Sequence, residues 1–173
     1  MRVPLDWLRE YCDPDLDVNG IEERLTMTGT KVEAIHHHGV GSTEGFVVGR
    51  VLAAEQHPDA DRLKVCTVDL GEGEPAQIVC GAPNVAAGQT VAVALPGAVM
   101  PDGSAIKAAK LRGVPSNGMI LAADELAIDS DHSGIMVLDE FLGPAEREPG
   151  TPLGDVLPIA MEVLELEAVE GRA

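Results

Sequence analysis

The residues most suited to chemistry form a cationic stretch that leads into a turn. Lys107, Lys110 and Arg112 are three of the twelve Lys and Arg residues in the chain, and they fall within six positions. The turn signal P-S-N-G follows at 115–118, and the apolar run at 119–123 predicts a buried strand. Cations and turn amides in this order favour an anionic ligand. The alternative is a solvated surface loop that keeps a strand end soluble.

Metal chemistry is suggested by the three consecutive histidines at 36–38. Consecutive residues of an extended segment point to alternate faces, so the three rings cannot close on one ion. The three cysteines, Cys12, Cys66 and Cys80, lack the short paired spacing of a zinc site. The sequence therefore predicts no metal site, and the histidines are interpreted as a solvated strand end.

Catalytic chemistry is suggested by His57, which shares the loop H-P-D-A-D-R with Asp59 and Asp61. The same residues are typical of a rigid loop whose carboxylates cap the turn, which is the favoured interpretation. Cys80 has no histidine partner nearby and is typical of a small core hydrophobe. No nucleophile elbow and no glycine-rich phosphate loop occur, so no catalytic residue is predicted. Asn84 instead offers a polar side chain on an exposed turn.

Charge and aromatic content restrict how a nucleic acid could be bound. The formal net charge of −17 opposes unselective binding, although a local basic patch still acts within about 8–10 Å. Phe46 is the one aromatic residue between Gly45 and Phe141, so base stacking has little to use. RNA would be recognised through its backbone and shape. The candidate contacts are Lys107, Lys110, Arg112, Ser116, Asn117, Gly118 and Asn84, with Arg50, Arg62 and Lys64 as extensions of the patch.

The elements that must position these residues change in kind along the chain. Residues 2–38 predict two short helices, the second capped by Asp17, and one strand at 30–35. After a small-residue linker at 39–45, apolar runs bounded by turn signals predict five strands and one helical turn at 85–89. The predicted strands are 46–54, 63–70, 76–80, 90–95 and 119–123. Two further strands are predicted at 135–138 and 161–169, on either side of a linker at 143–152.

Five short strands around one helical turn are typical of a small closed Greek-key barrel. The strands at 30–35 and 161–169 are natural partners for each other. The predicted architecture is therefore α+β, with an all-β barrel (residues 40–149) inserted into a small discontinuous α+β domain (1–39 and 150–173). That outer domain is expected to be incomplete at its C-terminus. The absence of an apolar leader or span, and the widely spaced cysteines, favour a cytoplasmic chain with no membrane contact.

Three motifs in order resemble a known RNA-binding module. H-P-D-A-D-R-L (57–63), I-V-C-G-A-P-N (78–84) and K-L-R-G-V-P-S-N-G-M (110–119) are similar to the tRNA-binding OB fold. That fold is shared by bacterial phenylalanyl-tRNA synthetase β subunits, some methionyl-tRNA synthetases and free-standing tRNA-binding proteins. The flanking W-L-R-E-Y, L-T-M-T-G-T-K-V-E, D-H-S-G-I and G-T-P-L resemble the N-terminal region of the phenylalanyl-tRNA synthetase β subunits. The resemblance covers nearly the whole chain.

The resemblance implies a five-stranded OB-fold barrel that binds tRNA as an architectural region of a ligase β subunit. The whole enzyme would attach phenylalanine to its tRNA using ATP and Mg²⁺, with no cofactor in this fragment. An α subunit would carry the aminoacylation site in an α2β2 heterotetramer, and editing would lie downstream of this stretch. The chain departs from the family at 168–173, where A-V-E-G-R-A replaces a T-P-N-R-x-D type motif. Three alternatives remain: a structural module that docks on protein, a free-standing tRNA-binding protein, and a hydrolase that uses His57 and Asp61.

Overall fold

Two units make up the computed structural model, which describes residues 1–12 and 14–167 of the chain. The first unit comprises residues 1–38 together with the segment that begins at Ala160, and we call it the α+β unit. The second comprises Gly39–Ile159, and we call it the barrel unit.

A three-stranded sheet covered by two helices forms the α+β unit. Its sheet has the order β1-β10-β2, which confirms that the strands near the two chain ends pair. The Oδ1 atom of Asp17 accepts a hydrogen bond of 2.8 Å from the backbone N–H of Gly20, as predicted for a helix N-cap. Leu5, Ile21 and Leu164 belong to the apolar core beneath the helices. The elements are β1 (Arg2–Pro4), α1 (Leu5–Tyr11), α2 (Val18–Met27), β2 (Val32–Gly39) and β10 (Ala160–Leu166).

The barrel unit is built on a five-stranded antiparallel sheet of order β5-β4-β3-β6-β9, nearly closed on itself, with a separate hairpin of β7 and β8. The predicted fold class, an OB-like barrel in an α+β setting, is confirmed. The strands are β3 (Phe46–Gln56), β4 (Lys64–Asp69), β5 (Ala76–Cys80), β6 (Thr90–Ala94), β7 (Ala109–Leu111), β8 (Val114–Ser116) and β9 (Met119–Ile120), and a short helix, α3 (Leu153–Val156), follows.

Strand β3 serves both of its neighbours because it is long and bent. Its first half pairs with β6 from Phe46 to Arg50, and its second half pairs with β4 from Arg50 to Gln56. The register shifts between Val51 and Ala53, so Leu52 is an extra residue of a β-bulge and is 49% exposed. A bulge bends its strand and increases the local twist, which allows a short sheet to curl into a barrel. The interior is filled mainly by Val, Ile, Leu and Ala side chains.

A seam between β5 and the end of β8 closes the barrel through three separate hydrogen bonds instead of a regular strand ladder. The Ser116 hydroxyl oxygen accepts the backbone N–H of Val79 at 3.0 Å. The N–H of Asn117 donates to the carbonyl of Gln77 at 2.8 Å, and the Gln77 side-chain amide donates to the carbonyl of Pro115 at 2.7 Å. Residues 115–117, which form the end of β8 and the position after it, therefore close the barrel.

Two local predictions were wrong. The segment at 135–138 makes an isolated bridge between Val91 and Val137 and then a 3₁₀ turn, Leu138–Glu140, in place of a strand. The segment at 85–89 forms turns in place of a helical turn. Strand β10 ends at Leu166, and the end of the predicted strand at 168–169 lies outside the described residues.

Candidate functional site

The cationic stretch is a β-hairpin whose turn lies three residues earlier than predicted. Leu111 pairs with Val114, so Arg112 and Gly113 are the two loop residues between β7 and β8. Their φ angles are +46° and +87°, the values that a type I′ turn requires at both central positions. The segment predicted as a turn at 115–118 instead begins as strand β8. The hairpin thus presents Arg112 at its tip.

Arg112 occupies a backbone conformation that ordinary L residues avoid. The left-handed region costs such a residue about 1–2 kcal/mol, and Asn or Gly is the usual choice in a two-residue hairpin turn. The following Gly113 meets the requirement at no steric cost. A strained cation at an exposed tip is an observation from which a binding role can be inferred.

The hairpin is also a region from which negative charge is missing. No Asp or Glu occurs from Gly103 to Ala123, in a chain with a net charge of −17. Lys107, Lys110 and Arg112 are all exposed. Among the described residues none of the three forms an ion pair. Their positive charges are therefore available to an anionic partner.

A second loop lies against the hairpin and adds another cation. The loop at 57–63 is closed by the backbone N–H of His57, which donates to the carbonyl of Leu63 at 3.0 Å. Arg62 in this loop and Arg112 at the hairpin tip line the same cleft, which has a volume of about 460 Å³. Asp59 and Asp61 line it as well, yet neither is within ion-pair distance of an arginine among the described residues. The structure thus brings Arg62 and Arg112 together.

His57 holds the loop and the hairpin in contact. Its ring nitrogen Nδ1 accepts the backbone N–H of Asp59 at 3.0 Å, and Nε2 lies 3.1 Å from the carbonyl oxygen of Leu111. The residue is only 2% exposed. With both nitrogens engaged by the main chain, the ring is not free to take a proton from a substrate, which argues against the hydrolase alternative. Within the described residues neither Asp59 nor Asp61 accepts a hydrogen bond through its carboxylate, so the predicted capping is not seen; His57 and backbone groups hold the turn.

Two further candidate contacts are engaged within the barrel. The Lys64 ammonium donates to the carbonyl of Val85 at 2.7 Å. The Asn84 side chain bonds twice to the main chain of Ile135, donating to its carbonyl and accepting its N–H, each at 2.9 Å. These bonds tie Asn84 and Lys64 to the main chain of the barrel unit, and of the candidate cations, Lys107, Lys110, Arg112 and Arg62 are exposed.

The candidates at the end of β8 and just after it belong to the seam. Ser116 is 3% exposed, and its hydroxyl donates to the carbonyl of Gly118 at 3.1 Å. Gly118 has φ of +121°, and a Cβ atom there would lie 2.7 Å from the carbonyl oxygen of Ala94. Asn117 is exposed and bonds to the seam through its backbone N–H, which leaves its side chain facing solvent. Gln77, which the sequence reasoning missed, completes the seam, and a polar residue in a strand gave no signal of this.

Asp139 holds the barrel to the segment that follows it. Its two carboxylate oxygens accept the backbone N–H and the hydroxyl of Thr90, each at 2.8 Å. Burial acts against the ionised form, but these hydrogen bonds and the nearby charges of Arg147 and Arg50 outweigh it and hold the pKa of Asp139 below its ordinary value. Arg147, one of the two arginines near Asp139, also donates to the carbonyl of Leu142 at 2.6 Å.

The two buried cysteines and two of the three consecutive histidines occupy structural positions in the part of the chain that the structure describes. Burial, as the largest cause, raises the pKa of Cys66 to about 11 and also raises the pKa of Cys80, so both remain thiols. His36 pairs with Glu165 at 2.5 Å across strands β2 and β10, and His37 pairs with Glu162 at 3.4 Å. In residues 1–12 and 14–167 no group of three or more His, Cys, Asp or Glu side chains could hold a metal ion. Over the same ranges, no helix is long and apolar enough to cross a membrane.

The chain is similar to known proteins over both its barrel unit and its whole length. Residues 46–147 match the family described as "Putative tRNA binding domain". The whole chain is 47% identical to a phenylalanine–tRNA ligase beta subunit of Nitratidesulfovibrio vulgaris, and 99% of it is 46% identical to that of Salinibacter ruber. The chain spans about a fifth of the length of these relatives, 21% and 22% respectively. A MetRS related protein from Pyrococcus horikoshii is 23% identical over 61% of this chain and 85% of its own, with a TM-score of 0.43.

Proposed function

The chain belongs to the tRNA-binding domain family, and from this premise we propose that it binds tRNA through the β7–β8 hairpin and Arg62. The matched residues, 46–147, contain both the hairpin and the loop at 57–63. The observation that carries the proposal is the exposed and acid-free row of Lys107, Lys110 and Arg112 in a strongly acidic chain, with no ion-pair partner among the residues that the structure describes. Phosphate is the anion that such a row would meet on RNA, and charged contacts to phosphate supply most sequence-independent affinity.

Recognition through the RNA backbone is supported by the placement of the two phenylalanines of the barrel unit. Phe46 is 1% exposed and belongs to the core, so it cannot stack on a base. Phe141 is 67% exposed but lines a groove with Asp129, Asp131 and Glu140, whose charges repel phosphate. The described residues of the hairpin and of the loop at 57–63 include no aromatic ring apart from the imidazole of His57. The contacts proposed here are therefore with phosphates and riboses.

The relatives suggest the larger assembly in which this binding would be used. We propose that the chain serves as the tRNA-binding, architectural N-terminal region of a phenylalanine–tRNA ligase β subunit in the cytoplasm. An α subunit would be its partner in an α2β2 enzyme that uses ATP and Mg²⁺ to attach phenylalanine to tRNA. ATP and Mg²⁺ are proposed for the whole enzyme, and no residue of this chain is assigned to binding them.

A double charge reversal tests the proposed site. Lys110→Glu with Arg112→Glu should weaken binding of a phenylalanine tRNA transcript and lower the slope of log K against log salt by about two, because each lost phosphate contact removes about one. The matched control is Arg24→Glu with Lys31→Glu, which changes two exposed cations of the α+β unit and produces the same net charge.

Fluorescence anisotropy over a salt series measures both quantities. The control should bind nearly as the parent chain does, since its substitutions lie outside the proposed site. Equal weakening by both double variants would show that net charge alone governs the affinity. Unchanged binding by the hairpin variant would refute the site and would favour a module that docks on protein.

A further inference from the structure

We propose that His57 is a positioning residue that, as the neutral Nε2-protonated tautomer, fixes the Arg112 hairpin against the Arg62 loop so that both guanidinium groups bind one RNA backbone. The inference rests on the proposed function, because it concerns the same tRNA site. His57 would act on binding by positioning Arg62 and Arg112, and it would not itself contact the RNA.

The tautomer follows from the two partners of the ring. The backbone N–H of Asp59 can only donate, so Nδ1 must offer its lone pair at 3.0 Å. The carbonyl of Leu111 can only accept, so Nε2 must carry the proton at 3.1 Å. The ring is 2% exposed, and water therefore does not compete for either bond. The second hydrogen of an imidazolium would leave the Asp59 N–H without its acceptor.

The hairpin depends on this bond because little else holds its outer strand. β7 and β8 form a separate two-stranded sheet, and an isolated hairpin of this size is only marginally stable in water. The inner strand, β8, is attached through the seam at Ser116. Within the described chain, the contact between His57 and Leu111 is the hydrogen bond that ties residues 107–112 to a group outside the hairpin.

The position of the bond explains why it would matter for binding. Leu111 is the residue immediately before Arg112, and Arg62 belongs to the loop that His57 begins. The two arginines line one cleft although 50 positions of sequence separate them. Two cations held at a fixed separation lose less freedom when they bind a pair of phosphates than two cations on loose loops would. His57 thus pre-organises the site.

Two amide substitutions separate the bonds of the ring. In His57→Gln the side-chain N–H₂ group stands where Nε2 stood and still donates to Leu111, whereas in His57→Asn the amide oxygen stands where Nδ1 stood and still accepts from Asp59. We expect His57→Asn to weaken binding of the tRNA transcript about three- to tenfold relative to the parent chain. His57→Gln should retain most of the parent affinity. Thermal unfolding by circular dichroism confirms that the barrel is folded in both variants.

A double-mutant cycle with Arg62→Ala and Arg112→Ala gives a readout that a purely structural role would not change. The losses of affinity should be coupled in the parent chain and additive in His57→Asn. Unchanged affinity and coupling in His57→Asn, while the arginine substitutions still weaken binding, would refute the positioning role and leave the proposed function standing. Full binding by the variants that lack Arg62 and Arg112 would refute both. Nitrogen-15 NMR of the parent chain must also show Nε2 as the protonated nitrogen of His57, and protonation at Nδ1 would overturn the inference even if the variants fail to fold.

Discussion

Replacing Arg112 by Asn should make the protein more stable and a weaker RNA binder. Arg112 sits at φ of +46°, where an ordinary residue bears about 1–2 kcal/mol of conformational strain. Asn tolerates this conformation well and is the preferred first residue of a type I′ turn. Recovering about half of the strain would raise the free energy of unfolding by about 0.5–1 kcal/mol, which corresponds to about 1–4 °C in Tm for a chain of this size.

The same substitution removes one phosphate contact. The salt slope of tRNA binding should therefore fall by about one, and the affinity should fall several-fold at physiological salt. Chemical denaturation followed by circular dichroism measures stability, and anisotropy titrations with the tRNA transcript measure binding. One substitution is thus expected to raise stability and to lower tRNA affinity. Because these effects are opposite, a general loss of folding cannot explain both.

Two matched variants separate strain from charge. Ala127 is exposed and has φ of +55°, so Ala127→Asn should give a similar gain in stability with no change in binding. Arg112→Lys retains the cation and the strained backbone, so it should change stability little and retain the salt slope. The strain argument is wrong if Ala127→Asn is stabilising and Arg112→Asn is not. The phosphate argument is wrong if Arg112→Asn retains the full salt slope.

Three further substitutions test the scaffold around the site. Asn84→Ala removes two hydrogen bonds to Ile135 and should lower the free energy of unfolding by about 1–3 kcal/mol in denaturation experiments, with the salt slope of binding retained; a changed slope would place Asn84 in the RNA site. Gly118→Ala meets an unfavourable φ and a contact of 2.7 Å to the Ala94 carbonyl, so Tm should fall by several degrees, and an unchanged Tm would contradict the close approach. Asp139 has a lowered pKa when folded, so its contribution is present above the unfolded pKa of about 4 and is lost as pH falls through the folded value. Asp139→Asn should therefore destabilise clearly at pH 7 and much less at pH 2, and equal losses at the two pH values would refute the ionic part of the argument.

The strands of the barrel could be predicted because their signals are local. The run at 63–70 is rich in β-branched and apolar residues on both faces of an extended segment and precedes a glycine-rich turn, and the structure places β4 at Lys64–Asp69. The bulge at Leu52 could not be predicted, because it depends on which two strands flank β3.

The hairpin was misplaced because its turn lacks the usual residues. Arg-Gly is a weak turn signal, since Arg seldom adopts a positive φ, whereas P-S-N-G at 115–118 is a strong one. Pro115 is nevertheless compatible with β8, because its missing N–H faces no ladder partner in a strand at a sheet edge. The strand predicted at 135–138 failed because its apolar residues pack beneath the barrel through a single bridge.

The sequence identifies which residues belong to the candidate site, but it does not show how they lie relative to one another. Lys107, Lys110 and Arg112 stand out by charge alone, and their exposure agrees with a binding role. The alignment of Arg62 with Arg112 depends on the contact between His57 and Leu111 across 54 positions, for which one sequence holds no signal. Asn84 is a polar residue on a turn by sequence, and only the fold shows that its amide substitutes for a backbone pairing partner.

The seam has a consequence for how such a protein can diverge. The residues that close the barrel begin at Pro115, while the charged part of the hairpin ends at Gly113. Selection for partner binding therefore acts on the hairpin up to Gly113, whereas selection for folding acts on the seam from Pro115. Only one residue separates these two segments. Insertions, deletions or exchanges of charge before that border can be inherited without rebuilding the interior. The barrel would then act as a fixed scaffold that carries an exchangeable binding segment. The residues between Ile106 and Val114 could be replaced as one piece by the hairpin of a distant relative.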